Sequence, residues 1–158
     1  MILFLLYGLK KIDKTASISH ISFIKNIPNV KIIILSDSIE PILLSWYNSF
    51  NVSFSNQPIK YFFYDYSPPF DGIILCNYYT YFFPKPNNFI NFSKINLFYD
   101  LNFPHHINSN YPIFIPQKYF HKLPFIFFLY FYDCPIYNPH CLLLKKNNYV
   151  IHNSNHVF

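Results

Sequence analysis

Residues 2–35 read ILFLLYGLKKIDKTASISHISFIKNIPNVKIIIL, and this stretch decides the fold class. Ile2 to Tyr7 is an unbroken apolar run, the pattern of a strand covered on both faces. Gly8 to Lys14 is a polar turn. Thr15 to Ile27 follows, with Ile18, Ile21, Phe23 and Ile24 on roughly one helical face and Thr15 or Ser17 as the expected cap. Asn26-Ile27-Pro28-Asn29 stops the helix. Val30 to Leu35 is a second buried strand, ended by Ser36-Asp37-Ser38. Buried strand, helix and buried strand in succession predict a parallel pair joined by a crossover.

The pattern continues outward. Ile39 to Phe50 reads as a short helix with Pro41 in its first turn, where proline is tolerated. Asn51 to Pro58 reads as loop and Ile59 to Tyr64 as a third strand. Ser67-Pro68-Pro69 is a break. Asp71 to Cys76 is a fourth strand, Pro84 to Asn88 a second break, Ile90 to Ser93 a helical turn, and Ile95 to Tyr99 a fifth strand ending at Asp100. The expectation is a single Rossmann-like or flavodoxin-like α/β domain over residues 1–144, its mostly parallel sheet flanked by helices. Ile2–Tyr7, Val30–Leu35, Ile73–Cys76 and Ile95–Tyr99 are expected side by side. Leu101 to Gln117 reads as irregular. Leu123 to Tyr132 suits a buried helix or a strand, and periodicity does not choose between them. Residues 145–158 read as a polar tail ordered only against a partner.

Composition narrows the function classes. Hydrophobic residues make up 52% of the 158 and charged residues 12%, against about 25% charged in a typical soluble domain. A surface so poor in charge is expected to be covered by partners. The chain has 20 Phe and 15 Tyr but no Arg, two Gly (Gly8, Gly72), one Ala (Ala16) and one Glu (Glu40). That usage reflects an A/T-rich, G-poor coding strand and points to an organelle, endosymbiont or viral genome, the mitochondrial one first. Net charge is +5, carried by lysine alone, and the pI is near 9.0. Such a balance attracts phosphate backbones or anionic membranes, and lysine neutralises phosphate as a point charge.

The three cysteines, Cys76, Cys134 and Cys141, are an odd set that argues against a disulfide framework. Cys134, His140 and Cys141 lie close in sequence, and His105 and His106 are adjacent, but no zinc-type spacing joins them, so neither metal nor cofactor is expected. Met1 to Tyr7 has its lysines on the wrong side for a signal peptide, and the lack of a transit peptide suits synthesis inside the organelle. Phe125 to Tyr132 is far short of the roughly 20 residues needed to cross a bilayer.

Four segments, in this order, resemble the universal small-subunit ribosomal protein two family. The first is Tyr7-Gly8, then Ile12-Asp13-Lys14-Thr15 and a helix holding Phe23-Ile24; the family has a glycine turn, an Ile-Asp-x-x-Lys-Thr start and a Phe-Ile pair. The second is the strand Lys31 to Leu35. The third is Pro69-Phe70-Asp71-Gly72-Ile73-Ile74, similar to the family's Pro-Asp-x-x-(Ile/Val)-Val. The fourth is Ile95 to Pro116, INLFYDLNFPHHINSNYPIFIP, in which Asp100, Asn102, Pro104, Tyr111, Pro112, Ile113 and Pro116 follow the order of the family's Asp-Thr-Asn, proline and Tyr-Pro-Ile-Pro. Leu101 stands where the family has Thr, and the Gly-Asn-Asp that should follow is absent.

The resemblance implies a structural constituent of the mitochondrial small ribosomal subunit, in the matrix. It would bind small-subunit ribosomal RNA and neighbouring ribosomal proteins, would not be a homo-oligomer and would catalyse nothing. Lys10, Lys11, Lys14, Lys118, Lys122, Lys145 and Lys146 are the candidate phosphate contacts. Asp100, Asn102, Pro104, Tyr111 and Pro112 are candidates for a proline-stiffened docking loop. Two other readings compete. One is a truncated glycosyltransferase-like domain with Asp100 as base, although the chain has no Gly-rich phosphate loop. The other is an organelle complex subunit lying against a membrane protein through Phe125 to Tyr132.

Overall fold

The apolar runs become the centre of a seven-stranded sheet. The computed structural model describes residues 1–37, 40–57, 70–83, 90–99, 106–107, 112–131, 134–135, 148–153 and 155–157. Along the chain run β1 (Ile2–Tyr7), α1 (Lys14–Ile24), β2 (Val30–Leu35), α2 (Pro41–Trp46), β3 (Asn51–Ser55), β4 (Gly72–Asn77) and β5 (Tyr81–Phe83). Then come β6 (Ile95–Tyr99), β7 (His106–Ile107), β8 (Ile113–Pro116), a 3-10 helix (Gln117–Lys122), α3 (Leu123–Phe131), β9 (Cys134–Pro135), β10 (Tyr149–Asn153) and β11 (Asn155–Val157).

The main sheet has the order β10-β6-β8-β4-β1-β2-β3. β1 is parallel to β2 on one side (Ile2 opposite Val30) and to β4 on the other (Ile2 opposite Gly72). β3-β2-β1-β4 is the strand order of the first half of a doubly wound sheet, so the chain reverses direction between β1 and β4. The fold class read from the sequence is therefore the observed one, an α/β Rossmann-like sheet, mostly parallel and flanked by helices.

Every residue of β1 is buried because both faces of the sheet are covered. Leu3, Leu5, Ile33, Ile73, Leu75, Leu97, Ile113 and Ile115 face the layer made by the 3-10 helix and α3. Phe4, Leu6, Ile32, Ile34, Ile74, Cys76, Phe98 and Phe114 face α1 and α2. Each such aliphatic or aromatic side chain contributes about 1.5–3 kcal/mol when removed from water. The choice left open for Leu123 to Tyr132 resolves as helix over Leu123–Phe131. Leu123, Ile126, Phe127 and Tyr130 are buried, an i, i+3, i+4, i+7 stripe laid on the sheet.

Several readings are corrected. β6 does not lie beside β4; β8 sits between them, antiparallel to both. Ile113–Pro116, read as part of an irregular loop, is thus an interior strand. Its prolines stand at its margins, Pro112 before it and Pro116 at its last position, and the ladder continues past Pro116 through the Gln117 N–H, donated to the Asp71 carbonyl at 2.9 Å. Asn51 to Ser55, read as loop, is the edge strand β3, whose alternation of Val52 and Phe54 with serines is the period of a half-covered strand. The polar tail also joins the fold: Tyr149–Asn153 extends the sheet in parallel with β6, and Asn155–Val157 pairs antiparallel with β5. The expected strand at 59–64 lies outside the described residues.

The close approach of β4 to β8 explains one of the two glycines. A Cβ on Gly72 would stand 2.3 Å from Cε2 of Phe114 and 2.5 Å from its Cζ, far closer than non-bonded carbons approach.

Candidate functional site

In doubly wound sheets ligands bind outside the carboxyl ends of the strands, where the strand order reverses. Here that point is the loop between β1 and α1, facing the end of β4. Gly8 opens the loop with φ +76°, a backbone conformation that L side chains rarely adopt, and a Cβ there would lie 3.1 Å from Asn77 Nδ2.

The crevice is closed from within. The Lys10 N–H donates to the Tyr79 hydroxyl at 2.9 Å, the Lys11 N–H donates to the same oxygen, and Tyr79 donates back to the Lys11 carbonyl at 2.8 Å. The Asp13 N–H donates to the Tyr78 hydroxyl at 3.1 Å, and that hydroxyl donates to the Asp13 carbonyl at 3.0 Å. Asp13, not Thr15 or Ser17, caps α1: its Oδ1 accepts from the Thr15 and Ala16 N–H groups at 2.9 and 3.2 Å. The amides of Lys10, Lys11, Asp13, Thr15 and Ala16, which in a phosphate-cradling loop would face a ligand, are all taken by the protein's own side chains.

Deeper under α1 lies a polar network. The buried face of α1 is Ala16, Ser17, His20, Phe23 and Ile24, while Ile18, expected on that face, is 55% exposed. His20 Nε2 sits 2.8 Å from the Thr80 carbonyl, which only accepts, so Nε2 carries the proton. Nδ1 then accepts from the Tyr47 hydroxyl at 3.1 Å. Ser17 donates to the Tyr78 hydroxyl at 2.7 Å, since the Tyr78 proton is committed to Asp13. Burial pushes His20 down to about 4 and holds it neutral. Burial likewise pushes the Tyr47 and Tyr78 hydroxyls and the Cys76 thiol up, keeping all three protonated.

What remains open lies on the β2–β3 side of the reversal point. Two neighbouring clefts, of about 680 and 470 Å³, share Leu9, Lys10, Ser36 and Asp37. The larger adds Lys11, Ile12 and Glu40, and the smaller reaches Asn56 and Gln57 past the end of β3. Among the described residues no ion pair ties Lys10 or Lys11 to Asp37 or Glu40. The sequence marks Asp37 only as the end of a strand. The signal for more was its place directly after a buried parallel strand. Tyr78 and Tyr79 carried no comparable signal, being two of 15 tyrosines.

The candidate lysines do not form one patch. Lys10, Lys11 and Lys14 are exposed together at the carboxyl edge of the sheet. Lys118 and Lys122 are exposed on the 3-10 helix, which follows Pro116 opposite Gly72 at the start of β4. They therefore sit at the other edge, a strand length of roughly 17–20 Å away. Lys118 Nζ stands 5.2 Å from the centre of the Tyr119 ring, within cation–π range. Pro112 is buried at the mouth of β8. Asp100, Asn102, Pro104, Tyr111, Lys145 and Lys146 lie outside the described residues. Among the described residues no three His, Cys, Asp or Glu side chains gather as a metal site, and no helix is long and apolar enough to cross a membrane. No family model, no curated protein and no solved structure matches the chain.

Proposed function

We propose that this protein is a non-catalytic structural constituent of the mitochondrial small ribosomal subunit, held there by ribosomal RNA and neighbouring ribosomal proteins. The observation that carries the reading is the closed reversal point. Tyr78 and Tyr79 occupy the Lys10, Lys11 and Asp13 amides of the β1–α1 loop, and Lys10, Lys11 and Lys14 stand exposed around it. A crevice filled by the protein's own hydroxyls suits a rigid scaffold better than a turnover site, and exposed lysines on a fixed loop suit phosphate contacts that position without reading sequence. The A/T-driven composition, the scarcity of charge and the four ordered segments that resemble the small-subunit family support the same reading.

The test is sedimentation of mitochondrial lysate through gradients at moderate and high salt, with the protein followed by mass spectrometry. The expected result is co-migration with small-subunit ribosomal RNA that persists until the subunit itself falls apart. Recovery in a light, RNA-free fraction at moderate salt overturns the proposal.

A further inference from the structure

The two clefts between the β1–α1 loop and the ends of β2 and β3 set Lys10 and Lys11 beside two carboxylates, Asp37 and Glu40, that the proposed scaffold role does not yet use. Their volumes fall in the roughly 300–1,000 Å³ range in which clefts take up small-molecule-sized groups. The donors and acceptors are segregated. Lys10 and Lys11 belong to the β1–α1 loop, whereas Asp37 follows β2 and Glu40 precedes α2. A carboxylate accepts hydrogen bonds and repels phosphate, while an ammonium does the reverse. A ligand matching this cleft carries anionic charge on one side and hydroxyl donors on the other.

We infer that this cleft seats a nucleotide of single-stranded RNA, its phosphates against Lys10 and Lys11 and its ribose 2′-hydroxyl donating to Asp37. Three observations converge on it. Asp37 stands just past the carboxyl end of β2, beside the glycine turn that ends β1, the position from which a carboxylate takes ribose hydroxyls in nucleotide-binding sheets of this strand order. The backbone amides that would cradle a free nucleotide's phosphates are occupied by Tyr78 and Tyr79, which leaves phosphate to the lysine side chains, as on a polymer backbone. The charges in the cleft are not neutralised by one another. The 2′-hydroxyl is the one backbone donor that RNA has and DNA lacks. The inference rests on the ribosomal reading for its partner and adds to it a site that distinguishes RNA from DNA.

The experiment is fluorescence-anisotropy titration of the full chain with a labelled uridine decamer and with the deoxyuridine decamer, over a range of salt. The wild-type chain is expected to bind the ribo-oligomer about tenfold more tightly, the worth of one hydrogen bond to a charged acceptor. Asp37→Ala is expected to abolish that preference while leaving the DNA affinity in place, and Asp37→Asn to keep part of it. Lys10→Gln combined with Lys11→Gln is expected to weaken both oligomers alike and to lower the salt slope by about 1.4. Equal wild-type affinities, an Asp37→Ala preference equal to the wild-type one, or no binding at low salt each overturn the inference. So does a lysine pair whose loss changes neither affinity nor slope. The gradient separates this from the parent reading. Co-sedimentation of a wild-type chain that shows no RNA preference removes the cleft and keeps the scaffold. RNA preference in a chain that does not sediment with the subunit does the opposite.

Discussion

Beneath α1 and α2, the side chains of Ser17, His20, Tyr47 and Tyr78 are buried and joined by hydrogen bonds to the backbone of Asp13 and Thr80. Beneath α3, the buried side chains are Leu123, Ile126, Phe127 and Tyr130, and the Tyr7 and Tyr130 hydroxyls meet at 2.9 Å. One face of the sheet is packed mainly by shape, around that tyrosine pair. The other is packed by shape and by directed bonds, which fix the rotation of α1 about its own axis and leave Ile18 outside. The difference follows position. The polar layer underlies the loop that carries Lys10 and Lys11. A loop held by hydrogen bonds stays in one place, because moving it strands buried polar groups at a cost of about 1–3 kcal/mol each.

The largest expected effect comes from the apolar layer. Ile126→Ala, at 2% exposure, removes a filled position between α3 and the sheet. It should cost about 2–5 kcal/mol in denaturant unfolding, by the same amount at every pH from 4 to 8. The polar layer responds to pH instead. His20 titrates at about 4 in the folded protein and near 6.5 once unfolded. As the pH falls below 6.5 the unfolded chain takes up the proton first. The stability that His20 contributes is thus complete above 6.5 and is lost on the way down to 4, by roughly 3 kcal/mol. Denaturant melts across that window should show the loss in the wild-type chain and in Ile126→Ala alike. His20→Gln should flatten it, and a wild-type profile in that variant would show that the buried histidine is not its origin.

Tyr78→Phe tests how the polar layer holds the loop. It leaves the Asp13 N–H and carbonyl and the Ser17 hydroxyl without their shared partner. The expected cost is about 1–3 kcal/mol, with faster amide exchange confined to the β1–α1 loop. Exchange that quickens evenly across the sheet would mean the tyrosine acts as general packing. Smallest is Asp13→Ala, which removes the cap of α1 and should cost about 1 kcal/mol in denaturant melts at neutral pH.

The strands covered on both faces were legible from residues 2–35, because burial on two sides writes itself as unbroken apolar runs at β1 and β2. β8 was not, since IFIP between prolines looks like a stiff loop until its partners are known, and those partners, β4 and β6, lie far off in sequence. Nor was β10. Its Tyr149-Val150-Ile151 core is flanked by asparagines and histidine, and an edge strand needs few apolar residues. α3 was ambiguous because it is apolar all round, which erases the periodicity that marks a helix. At the site, Lys10, Lys11 and Lys14 were legible as a cluster because three nearby lysines on a turn need no tertiary information. Asp37 and Glu40 join them only through the crossover. Tyr78 and Tyr79 join them across more than sixty residues of chain.

The insertion of β8 between β4 and β6 also sets an order of events during synthesis. β1, β2, β3 and β4 are complete once residue 77 has emerged from the ribosome, and they can pair among themselves. From then until Ile113–Pro116 arrives, β4 presents an open edge with Ile73, Ile74 and Leu75 at full apolar strength, and such an edge invites pairing with another nascent chain. β6 emerges before β8 and has to wait for it, because among the described residues β8 is the strand that pairs it to the older part of the sheet. Speed of elongation through residues 78–116 therefore governs how long the half-built sheet stays exposed, and a slowly translated stretch there would favour aggregates over folded chains.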